Sequence, residues 1–530
     1  MWQNVDVIVL SQSSWRVSTK NQLKSSFMLK PIVPILLWTT RLSLTYTGPL
    51  SFLRLIIMLI STLTTSSSSS QRRRRRSITQ IIVSTWCNLE GLFFLFSFAD
   101  RYINGSSYRK QRPSHCPNFP SKRREELFQR IMNQNARTPE EGQAWLIGWF
   151  GGVGNCKYED LRLENLREWL AWAWFDQQDC SQLTKLELLE VETTLIKIQE
   201  LTGTMPPGRN SKIQVQRQSI DPWYPRTAAH PLLFYTIVGI IEHVAAPIVM
   251  RNILGFTRHV EGKIGYWYYP ERNKVTGAFI DRNDVVNTTL PPILFFHGIG
   301  VGLAPYYQVM KTLMSTNRPL YIMEIPEATL SIGTSLPFFH AAPIAVLEVL
   351  NTWDQILPPN QYKFSIVGHS YGTFVAAWFL EHRRDRILNC CMCDPVSIML
   401  HHADVCDRFL YGGMSSRAFN KGKSQKDLLM NWIVRQEPGI VLTLMRNLWW
   451  YKNTAWLEDL GVAKSGVLLG LGDEYAAVDK IVEGIQEYNA QENITEKEQI
   501  SLKTYKGIPH GLFLVYRRMQ LDMLDVLSRE

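Results

Sequence analysis

The chain changes its hydrophobic rhythm twice, and the changes divide it into three regions. Residues 1–76 alternate apolar pieces, Ile32 to Trp38 and Leu50 to Leu63, with Ser- and Thr-rich stretches. Neither apolar piece reaches the roughly 20 residues that a bilayer crossing requires. The stretch closes on Ser66 to Ser70 followed by Arg72 to Arg76. A basic leader of low order is expected over residues 1–78, with a weak membrane anchor, a transit-type leader and an unstructured extension all open. Ile81 to Phe98 is nearly long enough to span a bilayer, but Asn88 and Glu90 fall at its centre. A charge there is costly in lipid, so an interfacial or protein-packed helix is expected rather than a span. Pro231 to Met250 repeats that design, with Glu242 and His243 in the middle and Pro247 expected to break the helix.

Between these two segments the period is helical. Trp145, Trp149, Leu163, Leu166, Trp169, Leu170 and Ala173 recur at helix spacing, which predicts a core between packed helices. Leu183 to Leu201 reads as a charged amphipathic helix ended by Gly203. Residues 79–261 are therefore expected to form a mainly helical accessory region with membrane-prone segments at 80–98 and 231–250.

From residue 262 onward, short strands alternate with helices. Ile264 to Tyr269 and Thr276 to Ile280 are expected to open as an antiparallel pair. Further strands are expected at Ile293 to His297, Leu320 to Ile325, Phe364 to Gly368, Ile387 to Asp394, Val467 to Leu471 and Leu502 to Tyr505. Helical sequence follows most of them, as at Leu303 to Leu313 and Phe338 to Trp353. Such alternation predicts an α/β domain over 262–530, with a mostly parallel sheet and helices on both faces. About seventy residues between Asp394 and Ser465 read as an inserted cap, placed at 396–464.

Charge alters this picture in one respect. The formal net charge is +10, and residues 1–76 hold eleven Lys and Arg against Asp6 alone, so the remainder is formally neutral. A basic body that tracks nucleic acid is not indicated, and no nucleic-acid partner is expected. The eight cysteines are Cys87, Cys116, Cys156, Cys180, Cys390, Cys391, Cys393 and Cys406. They show no paired CxxC spacing, so buried thiols in a reducing, intracellular compartment are expected, with no metal and no cofactor.

The chemistry-bearing stretch is Gly368-His369-Ser370-Tyr371-Gly372, set between a β-type run and a helix. Strand, G-x-S-x-G and helix in that order form a nucleophile elbow, a sharp turn that lifts a serine Oγ clear of the sheet end. A β-carbon at either flanking glycine would collide with a neighbouring strand or helix. Phe295-Phe296-His297-Gly298-Ile299-Gly300 follows an earlier strand, where an oxyanion-binding turn is expected. Gly298, Ile299 and Tyr371 are its candidate residues, and the N–H groups of Ile299 and Tyr371 its candidate donors. His510 follows the last strand and is the candidate base. Asp473, in the turn after Val467 to Leu471, is the candidate acid. Glu474, Asp479 and Asp394 remain alternatives, Asp479 placed more naturally on the following helix.

Taken together, the elbow, the H-G-x-G turn and the terminal histidine resemble the α/β-hydrolase superfamily, in its branch of serine esterases and lipases. The resemblance covers about residues 262–530 and implies Ser370 as nucleophile, Asp473 as acid and His510 as base. A serine at the elbow implies an acyl-enzyme; the alkyl-ester branches of that superfamily need an aspartate there. Leu428 to Ile433 and Ile440 to Trp450 make the cap apolar, so a lipid-like or other apolar acyl ester is expected, with a membrane surface as partner. Two other readings stay open. An acyltransferase would use the same acyl-serine, and His402 to Asp407 matches H-x4-D; a non-catalytic scaffold would keep the fold as a binding module.

Overall fold

A computed structural model describes residues 47–58, 78–110, 119–151, 156–217, 229–272, 290–332, 346–358, 363–411 and 430–529. The leader up to residue 46 and the strand expected at Thr276 to Ile280 lie outside the described residues, as does the first part of the expected Phe338 to Trp353 helix.

Eight strands form one sheet in the order β1-β2-β4-β3-β5-β6-β7-β8. They are β1 Thr257–Glu261, β2 Ile264–Tyr269, β3 Ile293–Phe296, β4 Leu320–Met323, β5 Phe364–His369, β6 Ile387–Cys393, β7 Gly466–Gly470 and β8 Ser501–Tyr505. β2 runs antiparallel to β1 and to β4, and every other pairing is parallel. The mixed α/β sheet is thus mostly parallel, as expected. Its central strands β3, β4, β5 and β7 are buried at every position, which is why they read as largely apolar runs, with Ser365 and His369 the polar members of β5.

The opening hairpin corrects one expectation. The partner of Ile264–Tyr269 is the preceding segment Thr257–Glu261, joined through Gly262 at φ 56°. Thr257–Glu261 is almost wholly exposed and polar, so it contributes a backbone ladder and no apolar signal.

Strand alternation distributes the core to both faces of the sheet. Phe296 stacks on Phe379 of the Gly372–His382 helix at 5.5 Å, while its neighbour Phe295 meets Tyr306 at 5.3 Å. On the Phe295 side, Met519, Met523 and Val526 of the Arg517–Leu527 helix pack with Ile293, Val367, Cys391 and Leu468. Cys390, Cys391 and Cys393 are buried free thiols in β6, as their setting in an apolar strand implies.

Among the described residues two compact units are distinguished: 47–58 and 78–96 with 230–234, and the rest. In the first, the Thr47–Met58 helix crosses the long helix that begins at Ile78. Gly91 permits this, because a Cβ there would lie 2.9 Å from the Ser51 carbonyl oxygen. Glu90 is fully buried, its carboxylate accepting the N–H groups of Leu232 (2.8 Å) and Leu233 (3.1 Å). Burial raises the Glu90 carboxyl above its ordinary value, and the two N–H groups oppose that rise. The polar group that argued against lipid contact is therefore hydrogen-bonded inside the protein.

In the second unit the tryptophan-rich helices behave as core, as their spacing predicts. Trp145 packs on Trp169 at 5.5 Å and Trp149 on Trp172 at 5.2 Å. The Lys185–Thr202 helix starts at a Thr184–Glu187 capping box and stops at Gly203, φ 101°. These helices back onto the insertion between β6 and β7: Trp145 Nε1 donates to the His401 carbonyl and Trp450 Nε1 to that of Ala173, both at 3.1 Å.

Pro247 does not break its helix. The helical path continues from Leu232 to Ile253, with π-type turns at Ile241–Ala245 and Ile248–Ile253. Widening the hydrogen-bond ring on both sides absorbs a proline that has no N–H to give. Tyr235, Val238, Ala246 and Met250 are buried on one face, while Ile237, Ile240, Val244, Ile248 and Ile253 are exposed.

Candidate active site

The C-terminal ends of the parallel strands, the usual functional edge of such a sheet, bring the predicted residues together. β5 ends at His369, Ser370 follows at φ 51°, and the next helix starts at Gly372. A serine in left-handed backbone space is strained and must be held by its surroundings. Here Ser370 N–H donates to the Cys393 carbonyl at 3.0 Å, and the glycines remove every obstacle. A Cβ on Gly372 would sit 2.2 Å from the Phe296 oxygen, and one on Gly368 2.9 Å from the Gly372 oxygen. Gly298 belongs to the same crowd, since its Cβ would come within 2.8 Å of the Ser370 Cβ.

From Ser370 a line of hydrogen bonds runs inward. Ser370 Oγ lies 2.8 Å from His510 Nε2, and His510 Nδ1 lies 2.7 Å from Asp473 Oδ2. The other carboxylate oxygen of Asp473 accepts the N–H groups of Tyr475 (2.8 Å) and Ala476 (2.9 Å). Burial alone would raise the Asp473 carboxyl, but the facing His510 and these donors outweigh it and hold the group below its ordinary range. Burial works against His510 protonation too. The Asp473 charge and hydrogen bond overcome it and leave the imidazole above its usual value. With Nδ1–H given to the carboxylate, Nε2 has a lone pair for the serine proton.

The alternative acids take other places. Asp394 Oδ2 accepts the Gly511 N–H at 2.9 Å instead of reaching the His510 ring. Glu474 accepts the His510 backbone N–H at 3.3 Å, and Asp479 lies exposed on the Val478–Asn489 helix.

The turn after β3 is knitted in place around the serine. His297 is buried and neutral: burial, the main cause, lowers it to about 4, so Nε2 accepts the Ile325 N–H (3.0 Å) while Nδ1 meets the Gly298 oxygen (2.9 Å). Gly298 N–H donates to Tyr306 Oη at 2.7 Å, and Gly300 N–H to the Ala328 carbonyl at 3.0 Å. The N–H of Gly298 is therefore already engaged, and its part is close approach to Ser370. The N–H groups of Ile299 and Tyr371 have no intramolecular acceptor among the described residues, and both residues border the serine.

Ser370, His510, Ile299 and Tyr371 open on one cavity that is partly continuous with solvent. Its far wall is apolar and comes from the insertion: Val405, Phe409, Met430, Val434, Leu444 and Leu448. Cys406 adds a buried thiol there, pushed well up by burial and inert as a nucleophile. The H-x4-D match does not assemble a site, since His402 lies against the His401 ring at 4.6 Å and Asp407 accepts from Gln216 Nε2 at 2.9 Å. Sequence reading missed Tyr306, whose hydroxyl accepts the Gly298 N–H and so holds the turn after β3; a tyrosine eight residues along has no spacing signal of its own.

No known family model matches this chain, and no curated protein does. Solved structures with a likeness include a Bacillus subtilis carboxylesterase, 15% identical, covering 56% of this chain and 98% of that one at a TM-score of 0.35. A bacterial membrane phospholipase A is 13% identical over 56% of this chain and 96% of its own, also at 0.35. An epoxide hydrolase from Solanum tuberosum is 12% identical over 52% and 99%, at 0.31. At such scores these likenesses assign no chemistry, which stands on the site's own atoms.

Proposed function

We propose that the chain is a serine hydrolase of the α/β-hydrolase type that cleaves esters of apolar acyl groups through an acyl-enzyme on Ser370. The observation that carries this reading is the hydrogen-bonded line from Ser370 Oγ through His510 to Asp473, whose Ser370 end opens on an apolar cavity. In this reading His510 Nε2 takes the serine proton as Oγ bonds to the ester carbonyl carbon. The carbonyl oxygen becomes an oxyanion received by the N–H groups of Ile299 and Tyr371, donors worth about 3–4 kcal/mol of barrier. Collapse of that intermediate expels the alcohol, which leaves with the proton from His510. Water repeats the sequence, with His510 again as base, and frees the acid and the serine. Asp473 holds the imidazole tautomer and stabilises the imidazolium.

Labelling of the full-length protein by a fluorophosphonate tests the reading directly. Wild type is expected to label and Ser370→Ala to stay unlabelled. An unlabelled wild type, or equal labelling of the two, rejects the serine nucleophile. Release of free acid from a p-nitrophenyl ester separates hydrolysis from acyl transfer.

The substrate surface in this reading is a bilayer. Two helices, Ile78–Ala99 and Leu232–Ile253, have the length and hydropathy of spans. The second buries one face in the protein, which suits a helix lying in the interface better than one surrounded by lipid. The arginine run Arg72 to Arg76, just before Ile78, matches anionic headgroups. Full-length protein is expected to float with anionic vesicles, and recovery wholly in the vesicle-free fraction rejects this surface.

A further inference from the structure

We infer that Tyr306, His369 and Asp394 form a second polar chain behind the serine and act as positioning residues, fixing the oxyanion turn and the His510 loop relative to each other. The inference rests on Ser370 being the nucleophile.

The chain has one polarity. Gly298 N–H donates to Tyr306 Oη at 2.7 Å, which leaves the tyrosine its own proton to give. That proton goes to His369 Nδ1, 2.7 Å away, so the imidazole is neutral with its proton on Nε2. Burial, which outweighs the opposing pull of Asp394, keeps His369 in that neutral form. Nε2–H faces Asp394 Oδ2 at 3.8 Å, a charge–dipole contact longer than a hydrogen bond. The same oxygen, Oδ2, takes the Gly511 N–H at 2.9 Å. Tyr306, His369 and Asp394 are all buried, and Asp394 is held at φ 45° at the end of β6.

The ends of this chain give it meaning. Gly298 immediately precedes Ile299, a proposed oxyanion donor, and Gly511 immediately follows His510, the proposed base. Between them His369 stands beside Ser370 in the elbow, its ring near-parallel to those of His510 (6.2 Å) and Phe513 (5.3 Å). Three separate loops, after β3, β6 and β8, are thereby referred to a single buried imidazole. Mutual satisfaction of polar groups would not require the chain to end on the two N–H groups next to the reacting residues. Low-dielectric networks of this kind rigidify what they touch.

Asp394 also contributes charge. The groups facing His510 are Asp473, Glu474 and Tyr475 from the turn after β7, Asp394 after β6, and His369 with Ser370 at the end of β5. Asp394 favours the imidazolium without occupying the Nδ1 hydrogen bond that Asp473 makes. Its neutralisation therefore lowers the His510 pKa while the Asp473 contact persists.

The test is the pH dependence of the second-order rate of fluorophosphonate labelling, measured on full-length protein with thermal melts as a fold check. In wild type the rate rises along an acid limb as His510 loses its proton. Asp394→Asn is expected to move that limb to lower pH by on the order of half a unit or more. At position 369, His369→Gln can still accept from Tyr306 and donate toward Asp394, so it is expected to label within about threefold of wild type. His369→Leu loses both joins and is expected to fall about tenfold or more below it. A limb for Asp394→Asn that coincides with wild type, or equal rates for the Gln and Leu variants, overturns the inference. Should Asp394→Asn fail to fold, the pair at position 369 decides alone. An unlabelled wild type rejects the serine nucleophile itself, whereas a labelled wild type with unchanged variants rejects only this positioning role.

Discussion

The cavity at Ser370 has two walls built on different principles. The polar wall belongs to the sheet: Ser370, Asp473 and His510 each stand just beyond the end of a parallel strand, where backbone bonds and glycine contacts fix them. The apolar wall belongs to the insertion between β6 and β7, made of short π-type turns at Cys406–Leu410 and Asn431–Arg435 and the Pro438–Arg446 helix. Those pieces are held by side-chain packing and by side-chain hydrogen bonds, such as Arg435 Nη2 to the Arg408 carbonyl at 2.9 Å and Thr443 Oγ1 to the Glu327 carbonyl at 3.1 Å. Backbone geometry at the strand ends positions the polar groups, and side-chain packing in the insertion shapes the space they face. Changes to the first wall should abolish turnover, and changes to the second should redirect it.

In the proposed mechanism the largest break falls at Asp473. There Asp473→Asn removes the charge that stabilises imidazolium and allows the wrong His510 tautomer, so turnover of a p-nitrophenyl ester should fall about 10^3- to 10^4-fold with KM little altered. Asp394→Asn should cost far less, because Asp394 does not meet the imidazole Nδ1. The reverse order would move the acid to β6.

The same division explains what the sequence disclosed. Central strands buried on both faces are largely apolar, so β3, β5 and β7 were visible within a residue or so, even though β5 also buries Ser365 with its hydroxyl bonded to Arg318 and Asn389. Gly368, Ser370 and Gly372 were visible because the turn tolerates few other residues, and His510 because it follows the last strand. β1 was not visible, since an exposed edge strand of Thr-Arg-His-Val-Glu needs no hydrophobic pattern to pair. The cap was visible as apolar, but which of its residues face the serine depends on π-type turns that shift the helical phase. Glu90 read as an obstacle because its partners, the N–H groups of Leu232 and Leu233, lie 142 and 143 residues away.

A smaller effect, of a different kind, is expected from the apolar wall. Leu444 lies in the Pro438–Arg446 helix and borders the cavity. Leu444→Trp should shorten the space for an acyl chain and leave the polar line untouched. The ratio of p-nitrophenyl octanoate to acetate turnover should fall at least about tenfold, a ratio that is independent of how much variant folds. An unchanged ratio would mean that the acyl chain lies elsewhere.

The apolar wall also continues outward, and there the effect on chemistry should vanish. Tyr235 Oη donates to Glu437, whose carboxylate also caps the Pro438–Arg446 helix through the Ile440 N–H at 2.8 Å. The helix that carries Tyr235 exposes Ile240 and Val244 on its other side. Burying an aliphatic side chain of that size is worth about 1.5–3 kcal/mol. Replacing both with glutamate removes roughly 3 kcal/mol or more and adds repulsion from anionic lipid, enough for about a hundredfold loss of vesicle flotation. Turnover of dissolved p-nitrophenyl acetate should remain within about twofold, because neither residue borders the Ser370 cavity. Flotation that survives the double substitution would move the proposed membrane contact from this helix to the one beginning at Ile78, which exposes Ile81, Leu92 and Phe98.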